Sequence, residues 1–158
     1  MSHFDLIAAF GTALADMDDP AVSEHTSSST RLAEHVARAL AAGHDPQSFV
    51  DEGYVQEIRT RMSHHARILD TQILSGNAGC LVDTMVWLYR SYLARGYSTE
   101  YLQLISESWH GAVAEHSRES HARPVEALYS LLRDNHERFV SLSREPAREM
   151  TVEDCLRP

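Results

Sequence analysis

The chain reads as an all-α protein, and three observations carry that reading. Apolar residues recur at three- and four-residue steps through five long segments, the spacing that lines one face of a helix. Turn formers separate the segments: Asp18-Asp19-Pro20, Gly43, Gly76-Asn77 and Gly96. No run alternates apolar with polar residues as a half-buried strand would. At 158 residues the chain is long enough to bury a self-sufficient core. The expectation is therefore one helical domain over residues 1–143, built of five to seven helices, followed by a polar tail over 144–158.

Taken in order, Ser2–Met17 places Ile7, Phe10, Gly11 and Leu14 on one side and stops at the Asp-Asp-Pro turn. Ser23–Thr30, in which residues 26–30 all carry hydroxyls, reads as a polar loop that ends in a helix cap at Ser29 or Thr30. Arg31–Ala42 is then helical with Leu32, Val36, Ala39 and Leu40 inward and Gly43 at its C-terminus. Asp45-Pro46 opens a short helical segment, Gln47–Glu52, which Gly53 bends or breaks.

The next three segments carry the chemistry. In Val55–Leu74 an apolar stripe of Val55, Ile58, Met62, Ala66, Leu69 and Ile73 is edged by the row Arg61, His65, Ile68 and Gln72, while His64 points elsewhere. Gly76-Asn77 ends this helix. Cys80–Arg95 has a wide apolar arc from Leu81 to Leu93, which implies packing on more than one neighbour; Trp87 falls outside it, where an indole needs a ligand or a second subunit to cover it. After the Gly96-Tyr97-Ser98 turn, Tyr101–His116 turns Tyr101, Ile105, Trp109, Ala112 and His116 inward and His110 outward. One last helix follows Pro124, with Val125, Leu128, Tyr129, Leu132, His136 and Phe139 on its inner face.

Composition excludes some partners. A net charge of −9, with 14 basic residues dispersed among 23 acidic ones, argues against nucleic acid and against an anionic membrane surface. No apolar run approaches the length that spans a bilayer, and no segment resembles a secretory signal. The two cysteines, Cys80 and Cys155, are too few for a disulfide framework or a four-thiolate zinc site and fit a reducing compartment. The expected location is cytoplasmic.

Ten histidines invite a metal reading, but the motifs do not support one. Glu107-x-x-His110 stands alone, where a carboxylate-bridged di-iron bundle needs two such pairs and two further glutamates. His116 and His121 do not share a helix face, and His64 and His65 diverge by about 100°. No nucleophile elbow, zincin motif, phosphate loop or dinucleotide turn is present, so neither a metal nor an enzymatic activity is expected. What remains is the set Arg61, His65, Trp109 and His116. It has two readings: hydrogen-bonded histidines at the edge of the core with a tryptophan anchor, or cationic and ring side chains around a flat apolar molecule that bears carboxylates.

The order of features resembles the bilin-binding branch of the globin superfamily. Ile68-Leu69-Asp70-Thr71-Gln72-Ile73-Leu74-Ser75-Gly76-Asn77 looks like the end of the long helix of phycobiliproteins, with Gly76-Asn77 in place of their Gly-Asp turn. The segment Trp87-Leu88-Tyr89-Arg90-Ser91-Tyr92-Leu93-Ala94-Arg95-Gly96 is similar to a pattern in the globin-like domain of photocobilin-type photoreceptors. The resemblance spans roughly Glu52 to Phe139 and implies a globin-like domain. Three departures qualify it. Cys80–Arg95 holds no histidine, which removes the ordinary haem ligand. Ile58 and Arg61 stand where phycobiliproteins place their attachment cysteine and chromophore aspartate. The cobalamin-binding module is absent.

The resemblance thus implies non-covalent binding of a linear tetrapyrrole of the biliverdin type, with attachment through Cys80 as a lesser variant, in a light-related sensor, carrier or storage protein; the expected assembly is a homodimer. Arg61 and Arg67 would pair with propionates, and His65 and His116 would bond pyrrole or lactam groups. Tyr97, Trp109 and Trp87 would pack on rings, and Ile68 would line the site. The alternatives are a ligand-free helical signalling or dimerisation module with Trp87 at the interface, and a haem-based sensor that uses His65 or His116 as a non-standard ligand.

Overall fold

A computed structural model describes residues 3–43, 52–116 and 123–146. Among these there are seven helices and no strand: α1 (His3–Ala15), α2 (Asp19–Ala42), α3 (Glu52–Ser75), α4 (Ala78–Ala94), α5 (Thr99–His116), α6 (Arg123–Asp134) and α7 (His136–Arg144). The fold is all-α, as the periodicity predicts. The short segment expected at Gln47–Glu52 lies largely outside the described residues, as does most of the tail.

Two boundaries differ from expectation. The hydroxyl-rich stretch Ser23–Thr30 is not a loop but the first half of α2. Its hydroxyls turn back onto carbonyls three or four residues earlier: Thr26 donates to Val22 O at 3.0 Å, Ser27 to Glu24 O at 2.9 Å and Ser29 to Thr26 O at 3.0 Å. With that competition satisfied inside the helix, burial of Ala21, His25, Ser29 and Leu32 decides the conformation. The cap sits earlier, where Asp18 Oδ1 accepts from Ala21 N at 2.8 Å and Pro20 occupies the first turn.

The second difference is a break at Asn135, whose N–H and side-chain Nδ2 both donate to Leu131 O. It divides the expected last helix into α6 and α7. After the break, His136, Phe139, Val140 and Leu142 of α7 are buried.

The packing follows from these faces. α2 lies along α3 and α5; α1 and α7 flank α4; α6 touches α1, α2 and α5 and so joins the two groups. The centre is held by Phe10 of α1 against Phe139 of α7, with ring centroids 6.1 Å apart, and by Ile58, Met62, Leu81, Val113 and Leu128, all fully buried. No described helix is long and apolar enough to cross a membrane.

The turn after α4 does more than reverse the chain. Gly96 takes φ +86°, a conformation costly for other residues, and Tyr97 N bonds back to Tyr92 O at 3.2 Å while Gly96 N bonds Leu93 O at 3.0 Å. This helix-terminating pattern sets the Tyr97 ring 5.1 Å from that of Tyr92.

Candidate ligand cavity

A cavity lies among α3, α4, α5 and α6. His65 and Leu69 come from α3, Met85, Leu88, Tyr89 and Tyr92 from α4, Leu102, Ile105, Ser106 and Trp109 from α5, and Tyr129 and Leu132 from α6. The enclosed space is about 40 Å³, within a concavity of about 490 Å³ that includes space open to solvent. Its walls are apolar and aromatic, with few polar groups.

His65 is the most constrained of those polar groups. It is buried on the edge of the α3 stripe, and its Nε2 lies 2.8 Å from the Tyr92 hydroxyl, with the two rings edge to face. Burial pushes the imidazole pKa down to about 4, and the nearby positive charges of Arg61 and then His64 push the same way. His65 is therefore neutral at pH 7 and shares one hydrogen bond with the Tyr92 hydroxyl.

Trp109 forms the opposite wall and stacks on Tyr129 at 6.1 Å. Its Nε1–H is buried and has no hydrogen-bond partner among the described residues. A buried donor left unmade costs about 1–3 kcal/mol, so a ligand acceptor reaching it is favoured. Tyr89 bonds His136 Nδ1 at 3.0 Å, and burial raises its hydroxyl pKa to about 12.

One edge of the cavity continues into a stack. From Tyr92 it passes to Tyr97 and then to Tyr101, whose ring is stacked on that of Tyr97 at 5.2 Å. The Arg61 guanidinium sits 4.9 Å from the Tyr97 centroid and pairs with Glu57 one turn earlier on α3. A cation is thereby held beside an aromatic surface that leads to the interior.

The fold brings together five of the eight residues singled out from the sequence and separates three. His65 and Trp109 line the cavity, while Arg61 and Tyr97 lie at its edge; Ile68, also counted with them, is half-buried on α3 three residues from His65 and is not among the lining residues. Arg67 does not join them: it is exposed, two residues and so about 200° around α3 from His65. Trp87 is 55% exposed on the outer side of α4. His116 packs against His35 of α2, not on the cavity.

Cys80 is corrected in a different way. It is disulfide-bonded rather than a free thiol, which removes both the reduced-thiol argument and a thioether at that sulfur. Cys155, the chain's other cysteine, lies outside the described residues.

Sequence reading passed over Tyr92, Tyr101 and Ser106 as ordinary helix-face residues. Only the pairing of α3 with α4 and α5 gives them a shared site. It also missed His25, buried on α2, whose Nε2 is 3.3 Å from the Tyr129 hydroxyl and 3.5 Å from Asp70 Oδ1.

No family model matches the chain, and the searches of curated proteins and of solved structures likewise return no match.

Proposed function

We propose that the chain binds a flat, conjugated, carboxylate-bearing ligand in the α3–α4–α5–α6 cavity, a linear tetrapyrrole of the biliverdin type held non-covalently. The observation that carries this reading is the continuity between an aromatic interior and a fixed cation: Trp109 and His65 inside, then Tyr92, Tyr97 and Tyr101, then Arg61. Ring stacking, apolar burial and one charge at the rim match the chemistry of a pigment with propionates at one edge. The unpartnered Trp109 Nε1–H supplies a donor for a lactam carbonyl.

The cavity's volume of about 40 Å³ is far below the range of about 300–1,000 Å³ that small-molecule pockets occupy, so a tetrapyrrole is not admitted without rearrangement. Entry requires side chains to part, and unbranched Met85 is suited to that. The resemblance to the bilin-binding branch of the globin superfamily points to the same ligand class.

Mixing purified protein with biliverdin should sharpen and red-shift its absorption and produce fluorescence, and Arg61→Gln should weaken binding. A free-pigment spectrum at micromolar protein overturns the reading. Haemin added in parallel separates the haem alternative, in which a Soret band would vanish in His65→Ala.

The exposed Trp87 favours a second reading, a homodimer with this face of α4 at the interface. Light scattering should then give a dimer for wild type and a monomer for Trp87→Ala; a wild-type monomer would remove it.

A further inference from the structure

Away from the cavity, the C-terminal end of α5 lies against α2, and three donors from the two helices converge there. His35 comes from α2, and Glu115 and His116 from the last turn of α5. His35 Nε2 is 3.5 Å from Glu115 Oε2, and the His35 and His116 rings are 5.1 Å apart at 82°. One donor atom from each residue lies within 4.8 Å of the other two.

The state of His116 is fixed by its own helix. Its Nδ1 lies 2.8 Å from Ala112 O, and a carbonyl only accepts, so Nδ1 carries the proton. In the neutral ring Nε2 is then an unprotonated lone pair. A backbone carbonyl on the other ring nitrogen is how ligating imidazoles are commonly oriented. The negative C-terminal end of the α5 dipole adds to the charge of Glu115.

We propose that His35, Glu115 and His116 bind one divalent transition-metal ion of the zinc type. Two imidazoles and one carboxylate suit zinc, with water as the fourth ligand, and do not suit calcium or magnesium, which favour all-oxygen shells. Bonds of about 2.0–2.1 Å to a tetrahedral ion put donors roughly 3.3 Å apart. The three must therefore close by rotamer changes, which the exposed Glu115 and half-buried His35 are free to make. The bound ion would tie α2 to the end of α5.

The test is calorimetric titration of chelator-treated protein with Zn²⁺, together with Co²⁺ absorption as a report on geometry. One Zn²⁺ per chain, a four-coordinate Co²⁺ spectrum and a Zn²⁺-dependent rise in Tm are expected. His35→Ala and His116→Ala should each abolish all three, Glu115→Gln should weaken binding, and His64→Ala, on the exposed side of α3, should change nothing. If an alanine variant loses its helical circular dichroism, the asparagine variant at that position takes its place. Absence of stoichiometric binding in wild type overturns the proposal. So does unchanged binding in the His35 or His116 variants, or an equal loss in His64→Ala, which marks general capture by surface histidines.

Discussion

Two buried histidine–tyrosine pairs lie on either side of Trp109 and differ in what surrounds them. His65 meets Tyr92 between α3 and α4, beside the cavity and near the Arg61 cation. His25 meets Tyr129 between α2 and α6; Tyr129 lines the cavity but His25 does not, and the Asp70 carboxyl lies 3.5 Å from it. Burial lowers both imidazoles to about 4. The same burial raises the pKa of Asp70, opposed by a hydrogen bond from Ser29. With imidazole and carboxyl each driven toward the neutral form, the 3.5 Å contact is polar rather than ionic. A buried neutral histidine is thus a structural hydrogen-bond partner in both places; the cavity and the adjacent cation are what make His65 a candidate for ligand contact.

Trp109 stands between the two pairs, lining the cavity on one side and stacking on Tyr129 on the other. Trp109→Ala should remove that wall from both and cost about 3–5 kcal/mol in urea unfolding, the largest effect expected. A loss under about 1 kcal/mol would show that the cavity already leaves the ring poorly packed.

Acid should act on both pairs alike. Each histidine binds its proton less readily in the folded chain, so the unfolded state takes up more protons between pH 6.5 and about 4. The stability this neutrality contributes is complete above pH 6.5, is lost as pH falls toward 4, and then levels off; the size is of the order of 3 kcal/mol for each histidine. Unfolding curves across that range should slope accordingly, and His25→Gln and His65→Gln should each flatten the slope. A slope unchanged in both variants would place the acid sensitivity elsewhere.

Single hydroxyl removals refine the contrast. Tyr92→Phe and Tyr129→Phe should each cost about 0.5–1.5 kcal/mol, the larger loss at Tyr92, whose 2.8 Å bond is the shorter, since His25 keeps the Asp70 contact when Tyr129 loses its hydroxyl. The reverse order in chemical denaturation would mean that the Asp70 contact gives His25 no compensation. Smallest of all, Arg61→Gln should raise the His65 pKa and leave that of His25 where it is, as read by NMR titration of the ring protons; equal movement of both would refute the charge argument.

How much of this was legible in the chain depends on the range of the interaction. Periodicity placed Ile58, Met62, Leu69 and His65 on one side of α3 correctly, because a helix face is set by residues three and four apart. The loop expected at Ser23–Thr30 failed because a run of hydroxyls signals competition with the backbone, and it does not say whether the hydroxyls bond forward as a cap or backward within a helix. Packing of α2 against α3 settled that. His116 was assigned to the inner face by the same wheel that placed Trp109, yet it ends beside His35, and no local pattern links residues so far apart in sequence.

The sequence alone therefore determined the helical class, the apolar stripes, the glycine turns and the net acidic charge, which follow from local sterics, from the periodicity of apolar side chains and from composition. Tertiary structure decided which helices meet: that His65 finds Tyr92, that Tyr97 and Arg61 stack at the edge of a cavity, that Arg67 and Trp87 stay outside, and that His35 reaches Glu115 and His116. Those contacts rest on pairing between distant faces, whose relative placement is set by ridges, volumes and turn geometry summed over the whole core.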